Sequence, residues 1–399
     1  MLIEFRVENH RSIREEQAIS FEAAGAADAR VRQVPGHAKG LLPALGIYGA
    51  NASGKSNVLS ALAFMRDAVL HSQAHWLPGG VIQRVPFAWG EAKPSLFELT
   101  FLHNEVRYQY GFVADDAVIL EEWLYAWPRG RKQTWLVREG AQFRFGDQLE
   151  GVPAKIQTFG RPNALFLSTA AQMGHAQLSP VFDQFRQMEM RNRRMPFFSG
   201  SWLTLTLDAV VYAKLARETA ADVDVALLRE LMTVADLGLT DVRLPSKEAG
   251  LEFEHAGRHW LPVEEESHGT QTLISLANAL ARALRSGGLL VVDELEAGLH
   301  PAISLFLLRQ FNDPQTNPKN AQLLFTTHDT HLLGTTLGDP PLRRDQVWLT
   351  EKDPEGATHL YPLTDYQPRK AENLERGYLQ GRYGAIPVLG ELPAPAQAP

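Results

Sequence analysis

Hydrophobic and polar positions alternate from the start of the chain: Leu2-Ile3-Glu4-Phe5-Arg6-Val7 predicts a half-buried strand, and residues 17–22 a second. The small residues of 23–29 predict a loop. An apolar run over 41–48 then leads into a glycine turn, and 56–70 carries helical spacing through Val58, Leu62, Met65 and Val69. From Ser95 to Phe145 the period changes to two. Val106, Tyr108, Tyr110 and Phe112 share one strand face, and 97–101, Ile119–Trp127 and 134–138 are further strands between Gly, Asp and Pro turn signals. This pattern predicts an antiparallel lobe. Residues 178–237 are mostly helical in pattern, with breaks near Pro196 and Gly200. Strand and helix alternate again after Leu261: a helix over 270–284, a strand over Leu289–Val292, a helix over 302–311 and a strand over Gln322–Thr326. The Pro/Ala-rich end, 393–399, predicts disorder. The resulting division is an N-terminal lobe (1–165), a mostly helical insertion (166–260), a C-terminal lobe (261–390) and a disordered tail (391–399).

Composition narrows the function classes. With 45% hydrophobic and 21% charged residues in 399, the chain has the make-up of a soluble protein with one large core or two modest ones. Its apolar runs fall short of the roughly 18–20 residues a membrane helix needs, so no membrane association is expected. The start lacks a basic segment followed by an apolar core, and no signal peptide is expected. Zero cysteines exclude disulfides, thiolate metal sites and cysteine nucleophiles, and suit the reducing cytoplasm, where the protein is expected to reside. A net charge of -7 argues against a broadly cationic nucleic-acid binder. Any such contact would need a local patch, and there are two to consider: Arg186, Arg191, Arg193 and Arg194, and the turn with Arg129, Arg131 and Lys132.

The chemistry concentrates in two places. Gly49-Ala50-Asn51-Ala52-Ser53-Gly54-Lys55-Ser56 fits the phosphate-binding pattern G-x-x-x-x-G-K-[ST], between a predicted strand and a predicted helix as the mechanism requires. Its backbone N–H groups would converge on ATP phosphates from Asn51 through Asn57, Lys55 would reach the β/γ-phosphates, and Ser56 would ligate Mg²⁺. Leu289-Leu290-Val291-Val292-Asp293-Glu294 is a buried parallel strand ending in two carboxylates, with Asp293 beside Mg²⁺ and Glu294 polarising the attacking water.

These motifs, with Glu296-Ala297-Gly298-Leu299-His300-Pro301 directly after them, resemble the ABC-type ATPases of the RecF, SMC and OLD branch. The resemblance implies an α/β P-loop NTPase fold of the ABC-ATPase head type, with an antiparallel β lobe and a helical insertion, and a homodimer or higher assembly closing on ATP. Within it, Ser267-His268-Gly269-Thr270-Gln271 resembles the signature, so that Ser267, Gly269 and Gln271 would face the γ-phosphate held by the opposite subunit; an ordinary serine helix cap is the alternative. Leu323 to Asp329 resembles the strand ending in the switch histidine, which makes His328 a catalytic candidate beside Glu294. Arg11 corresponds to the basic residue that approaches the nucleotide, with a solvated turn arginine as the other reading. Gln172 is the best match for the metal-facing glutamine, against an exposed polar loop residue.

The closing run Arg376-Gly377-Tyr378-Leu379-Gln380-Gly381-Arg382-Tyr383-Gly384-Ala385-Ile386-Pro387 resembles the tail of the short RloA-like ATPases of bacterial defence operons. That resemblance implies an ATPase switch regulating a separate effector protein encoded nearby, in an anti-phage or abortive-infection system. A RecF-like DNA-binding ATPase of DNA repair is the alternative. The chain lacks heptads, which excludes long coiled-coil arms, and about 70 residues after His328 are too few for an appended nuclease domain.

Overall fold

The computed structural model describes residues 1–25, 28–90, 92–151, 153–191, 225, 228–229, 232, 238–245, 251–336, 338–369 and 372–387. Phe197, Phe198 and Trp202, expected from the sequence as core or partner-contact apolar groups, lie outside them, as do Arg193 and Arg194, most of the segment predicted helical and the 391–399 tail.

Strands β1 (Leu2–Glu8) and β2 (Gln17–Ser20) open the chain, followed by β3 (Ala44–Gly49) and helix α1 (Lys55–His75). Five strands then run up and down: β4 (Ser95–His103), β5 (Val106–Ala114), β6 (Ile119–Trp127), β7 (Gln133–Glu139) and β8 (Gln142–Phe145). With β1 and β2 they make a seven-stranded antiparallel sheet of order β2-β1-β4-β5-β6-β7-β8. This is the lobe that the period-two pattern predicts. Tyr108, Tyr110 and Phe112 point to its buried face.

Three short helices follow, α2 (Pro153–Gln157), α3 (Phe166–Gln172) and α4 (Ser179–Arg186), and then a strand, β9 (Glu189–Arg191), where the sequence predicts helix. Strands β10 (Leu239–Arg243), β11 (Glu252–His255) and β12 (His259–Pro262) form a small antiparallel sheet of their own. So the described residues between 166 and 260 contain strands as well as the helices expected. The second half continues with α5 (His268–Ser286), β13 (Leu289–Val292), α6 (Pro301–Asn312), β14 (Gln322–Thr326), β15 (Val347–Lys352), β16 (Thr358–Pro362) and α7 (Leu374–Leu379).

A six-stranded sheet of order β16-β15-β3-β14-β13-β9 forms the centre. Its pairs are parallel except β15 with β16, which turn back on each other. Both faces are covered, and this explains why its strands are unbroken apolar runs. Leu45 and Ile47 of β3, Val291 of β13 and Leu324 of β14 pack with α1 and the antiparallel sheet. Their neighbours Ala44, Tyr48, Leu290, Val292, Leu323 and Phe325 pack on the other face with α5, α6 and the C-terminal segment. Helix α1 lies under the antiparallel lobe, buried on several sides through Val58, Leu59, Leu62, Met65 and Val69. The two halves are stitched together by Gln322, buried, whose side chain bonds the backbone of Leu2 and Leu42. This is the α/β fold of a P-loop NTPase, with strand β3, a glycine-rich loop and helix α1 at its centre.

Candidate functional site

The loop after β3 takes its shape from its glycines and from hydroxyls that reach it from the far end of the chain. Gly54 caps α1 with φ 109°, a conformation L side chains rarely adopt, and a Cβ there would lie 2.0 Å from Thr358 Oγ1. Ser53 shares a 2.6 Å hydrogen bond with Thr350 of β15, and Thr358 of β16 donates to the Ser53 carbonyl at 2.8 Å. Ser12 closes the ring, sharing a 2.6 Å bond with Thr358 and accepting one of 2.6 Å from Asn57. Asn51 and Ala52 sit exposed at the loop's apex. Lys55 turns back over the loop, donating to the Gly49 carbonyl at 2.8 Å and that of Ala50 at 3.1 Å. Burial lowers its ammonium to about 8, against the opposing pull of Asp293, Glu296 and Glu294.

A carboxylate ledge faces Lys55 across the sheet. Asp293, at the end of β13, accepts on one oxygen from Ser56 Oγ at 2.8 Å and Thr326 Oγ1 at 2.7 Å. A hydroxyl and a carboxylate oxygen meeting at one point form the hard donor pair that Mg²⁺ takes alongside phosphate oxygens, and the residues fit that ion. Among the described residues no group of three His, Asp or Glu could hold a metal by itself. The backbone turns sharply after Asp293. Glu294 has φ 56°, and its N–H donates to Thr326 Oγ1 at 2.7 Å. Glu296 then binds the neighbouring turn, accepting from Thr327 Oγ1 at 2.7 Å and from the His328 N–H at 2.6 Å. Partial burial, then the Lys55 charge, hold the His328 imidazole below its ordinary value, which favours the neutral ring at neutral pH.

Ser267 is exposed at the start of α5, where its Oγ accepts from the Thr270 N–H at 3.2 Å and shares a 2.9 Å bond with the Thr270 hydroxyl. Gln271 bonds back to the carbonyls of Glu264 and Glu266. Gly269 packs so closely on Gly298 that a Cβ would stand 2.8 Å from the Gly298 carbonyl oxygen. The helix start is thereby pinned to the turn that follows the Asp293–Glu294 ledge.

The structure thus brings together Asn51, Ala52, Ser53, Gly54, Lys55, Ser56 and Asn57 with Asp293, Glu294 and His328 around one end of the central sheet. It does not bring Gln172 there. Helix α3 is tied to the far end of α1, through Ser72 with Leu165 and Gln73 with Thr169, and Ser72 lies ~24 Å along the helix axis from Ser56. Chain order placed this glutamine, and the packing of α3 takes it elsewhere. Arg11 is exposed, with φ 51° and its N–H on the Val85 carbonyl; its neighbour Ser12 makes the contact with Asn57. Ser12, Thr326, Thr350, Thr358 and Glu296 escaped the sequence reading. Thr326 and Glu296 stand inside motifs already singled out, and only that adjacency pointed to them. The others meet the loop across 45 to 305 positions of sequence.

A strand, a glycine-rich loop and a helix carrying Lys55 and Ser56, with Asp293 hydrogen-bonded to Ser56, define a P-loop NTPase. More particularly, the chain belongs to the family described as "AAA domain, putative AbiEii toxin, Type IV TA system", which matches residues 45–168 and 190–334. Among solved structures, it is similar to the SMC head domain from Thermotoga maritima at 15% identity, over 90% of this chain and 98% of that one, with a TM-score of 0.43. An SmcHead bound to the C-winged helix domain of ScpA matches at 15% identity, over 90% and 97%, with a TM-score of 0.46. An Smc head domain with an extended coiled coil, bound to the C-terminal domain of ScpA derived from Pyrococcus furiosus, matches at 13%, over 92% and 97%, with a TM-score of 0.44. A search of curated proteins gives no match.

Proposed function

We propose that this protein hydrolyses ATP and acts as a switch, with two copies closing on the nucleotide as a head dimer. The observation that carries the reading is the helix start with Ser267 exposed and Gly269 pinned by Gly298 to the turn after the Asp293–Glu294 ledge, while the Ser267 side-chain bonds stay within its turn. Such a helix start has unspent N–H groups and a positive end to offer a phosphate outside its own chain. Within one chain, the loop amides from Asn51 to Asn57 and Lys55 hold the ATP phosphates, and Ser56 and Asp293 would hold Mg²⁺. When bound there, Mg²⁺ would supply positive charge that offsets the charge of the phosphates. Glu294 orients a water toward the γ-phosphorus and accepts its proton. The water oxygen bonds to phosphorus as the β–γ bridge breaks, and ADP leaves with the bridging electron pair. His328, held by Glu296, donates a hydrogen bond to the γ-phosphate oxygens. Lobes 1–165 and 261–390, with β9 completing their central sheet, form one head, and hydrolysis separates two of them.

Ser267→Arg tests this. The variant is expected to bind ATP at its own loop with unchanged affinity, to gain no mass on ATP addition, and to hydrolyse at least about tenfold more slowly. A Ser267→Arg protein that dimerises and turns over ATP like the wild type overturns the shared site.

For the biological role we propose regulation of a separate effector protein in a bacterial defence system, in the cytoplasm. Membership of a family whose description names a type IV toxin–antitoxin system supports this. None of the helices among the described residues is long and apolar enough to cross a membrane. The DNA-repair reading draws on the exposed turn with Arg129, Arg131 and Lys132, but the aromatic faces beside it are already covered. Lys132 lies 3.5 Å over Tyr125, and Arg107 lies 3.9 Å over Trp127. Co-purification with the product of a neighbouring gene is the expected result. ATP-dependent DNA binding that weakens steeply with salt would favour repair instead.

A further inference from the structure

We propose that the C-terminal segment beginning at α7 positions His328 from behind the P-loop, with Tyr378 and Glu375 as positioning residues that act through Tyr48 and Thr330. The inference rests on the ATPase reading for the chemistry of His328, and on geometry alone for the positioning.

The turn that carries His328 is held from two sides. On the ledge side, Glu296 fixes Thr327 and the His328 N–H. On the other side, the Tyr48 hydroxyl donates to the carbonyl of Asp329, the next residue, at 3.2 Å. Tyr48 is fully buried near the end of β3, one residue before the glycine that opens the phosphate loop. What the ring rests on is Tyr378 of α7, edge-on at a centroid distance of 5.7 Å. Tyr378 is itself buried, with its ring held by packing; its hydroxyl also donates to the Ala385 carbonyl at 3.1 Å, and the Gly49 backbone lies against it. One turn earlier, Glu375 accepts from the Thr330 hydroxyl at 3.3 Å and packs against Gly334, at the two ends of the turn that follows Asp329.

The segment is anchored well enough to act as a support. Asn373 caps α7 by accepting from the Arg376 N–H at 2.9 Å. Tyr383 donates to Glu372 at 2.7 Å, and Arg382 pairs with the same carboxylate. The Ala385 N–H reaches Glu351 of β15. A segment fixed to β15 at one end therefore presses a tyrosine and a glutamate against the back of the P-loop strand and the histidine turn. A closely packed support of this kind passes a displacement on instead of absorbing it.

Full-length Tyr378→Ala, Tyr378→Phe and Tyr48→Phe test the proposal by two readouts: amide exchange of the segment 327–334 without nucleotide, and steady-state ATP turnover. Tyr378→Ala and Tyr48→Phe are each expected to speed that exchange and to lower kcat about tenfold, with KM for ATP changed less than about twofold. Tyr378→Phe keeps the ring and should rescue both readouts. The Tyr48→Phe/Tyr378→Ala double variant should be no worse than the poorer single one, because both act through one contact. Wild-type exchange and kcat in Tyr378→Ala, or additive losses in the double variant, would overturn the positioning role. If the wild type turns over no ATP, the ATPase reading falls and the exchange data alone decide this one. If Tyr378→Ala does not fold, Tyr48→Phe, which removes a single oxygen, carries the test.

Discussion

Glu294→Gln is expected to double in solution mass when ATP and Mg²⁺ are added, and to hydrolyse ATP at least about a hundredfold more slowly than the wild type. The substitution keeps the size and hydrogen-bonding reach of the side chain and removes its ability to take a proton. Glu294 is the residue where this separates binding from chemistry. Its backbone is anchored through its N–H to Thr326, and its side chain is not among the groups that shape the phosphate loop. Asp293, one position earlier, accepts from both Ser56 and Thr326, so changing it would disturb binding and chemistry together. With hydrolysis stopped, ATP stays between the heads and stabilises the dimer by mass action. Light scattering with and without nucleotide reads the mass, and phosphate release reads the rate. A monomer that binds ATP with undiminished affinity would mean Ser267 is not used by a second copy of this chain, and the partner would have to be a different protein. A fully active variant would remove Glu294 from the chemistry.

How far this site could be read before the structure depends on how local its signals are. Strands β13 and β14 were legible to the residue because a parallel strand buried on both faces is an uninterrupted apolar run. The antiparallel lobe showed itself by alternation, and the phosphate loop by its glycines between a strand and a helix. Strand β9 did not. It has three residues, two of them charged, and it is held by pairing with β13 and by the Arg282–Glu189 ion pair, neither of which leaves a periodic trace. The β10–β12 strands are short, four or five residues each, and bury only Val242 and Phe253, so their alternation spans too few positions to stand out. The threonines that brace the phosphate loop are single hydroxyls from a distant hairpin. Gln172 shows the opposite failure, where order along the chain suggested a place that the anchoring of α3 to Ser72 and Gln73 does not allow.

The hairpin's role is what makes Gly54→Ala the most damaging small substitution to expect here. The residue's φ of 109° is a conformation that costs a non-glycine residue about 1–3 kcal/mol. The new methyl would meet Thr358 Oγ1 at 2.0 Å, Cγ2 at 2.8 Å and Cβ at 2.9 Å, so either the loop or β16 has to move. Thr358 cannot turn away without giving up its bonds to the Ser53 carbonyl and Ser12, each worth about 0.5–1.5 kcal/mol net. Together these effects predict a loss of about 2–5 kcal/mol in urea unfolding, and because the same backbone supplies the phosphate-binding amides, ATP affinity should fall more than about a hundredfold. Removing the obstacle separates the two causes. In Gly54→Ala/Thr358→Ala the side-chain collisions with Oγ1 and Cγ2 disappear while the backbone strain and the Cβ contact remain, so stability should recover only in part and ATP affinity should stay weak. Full recovery would assign the whole effect to the collision. Wild-type ATP affinity in Gly54→Ala alone would mean that β16 does not brace the phosphate loop, and that Thr358 and Ser12 are bystanders to nucleotide binding.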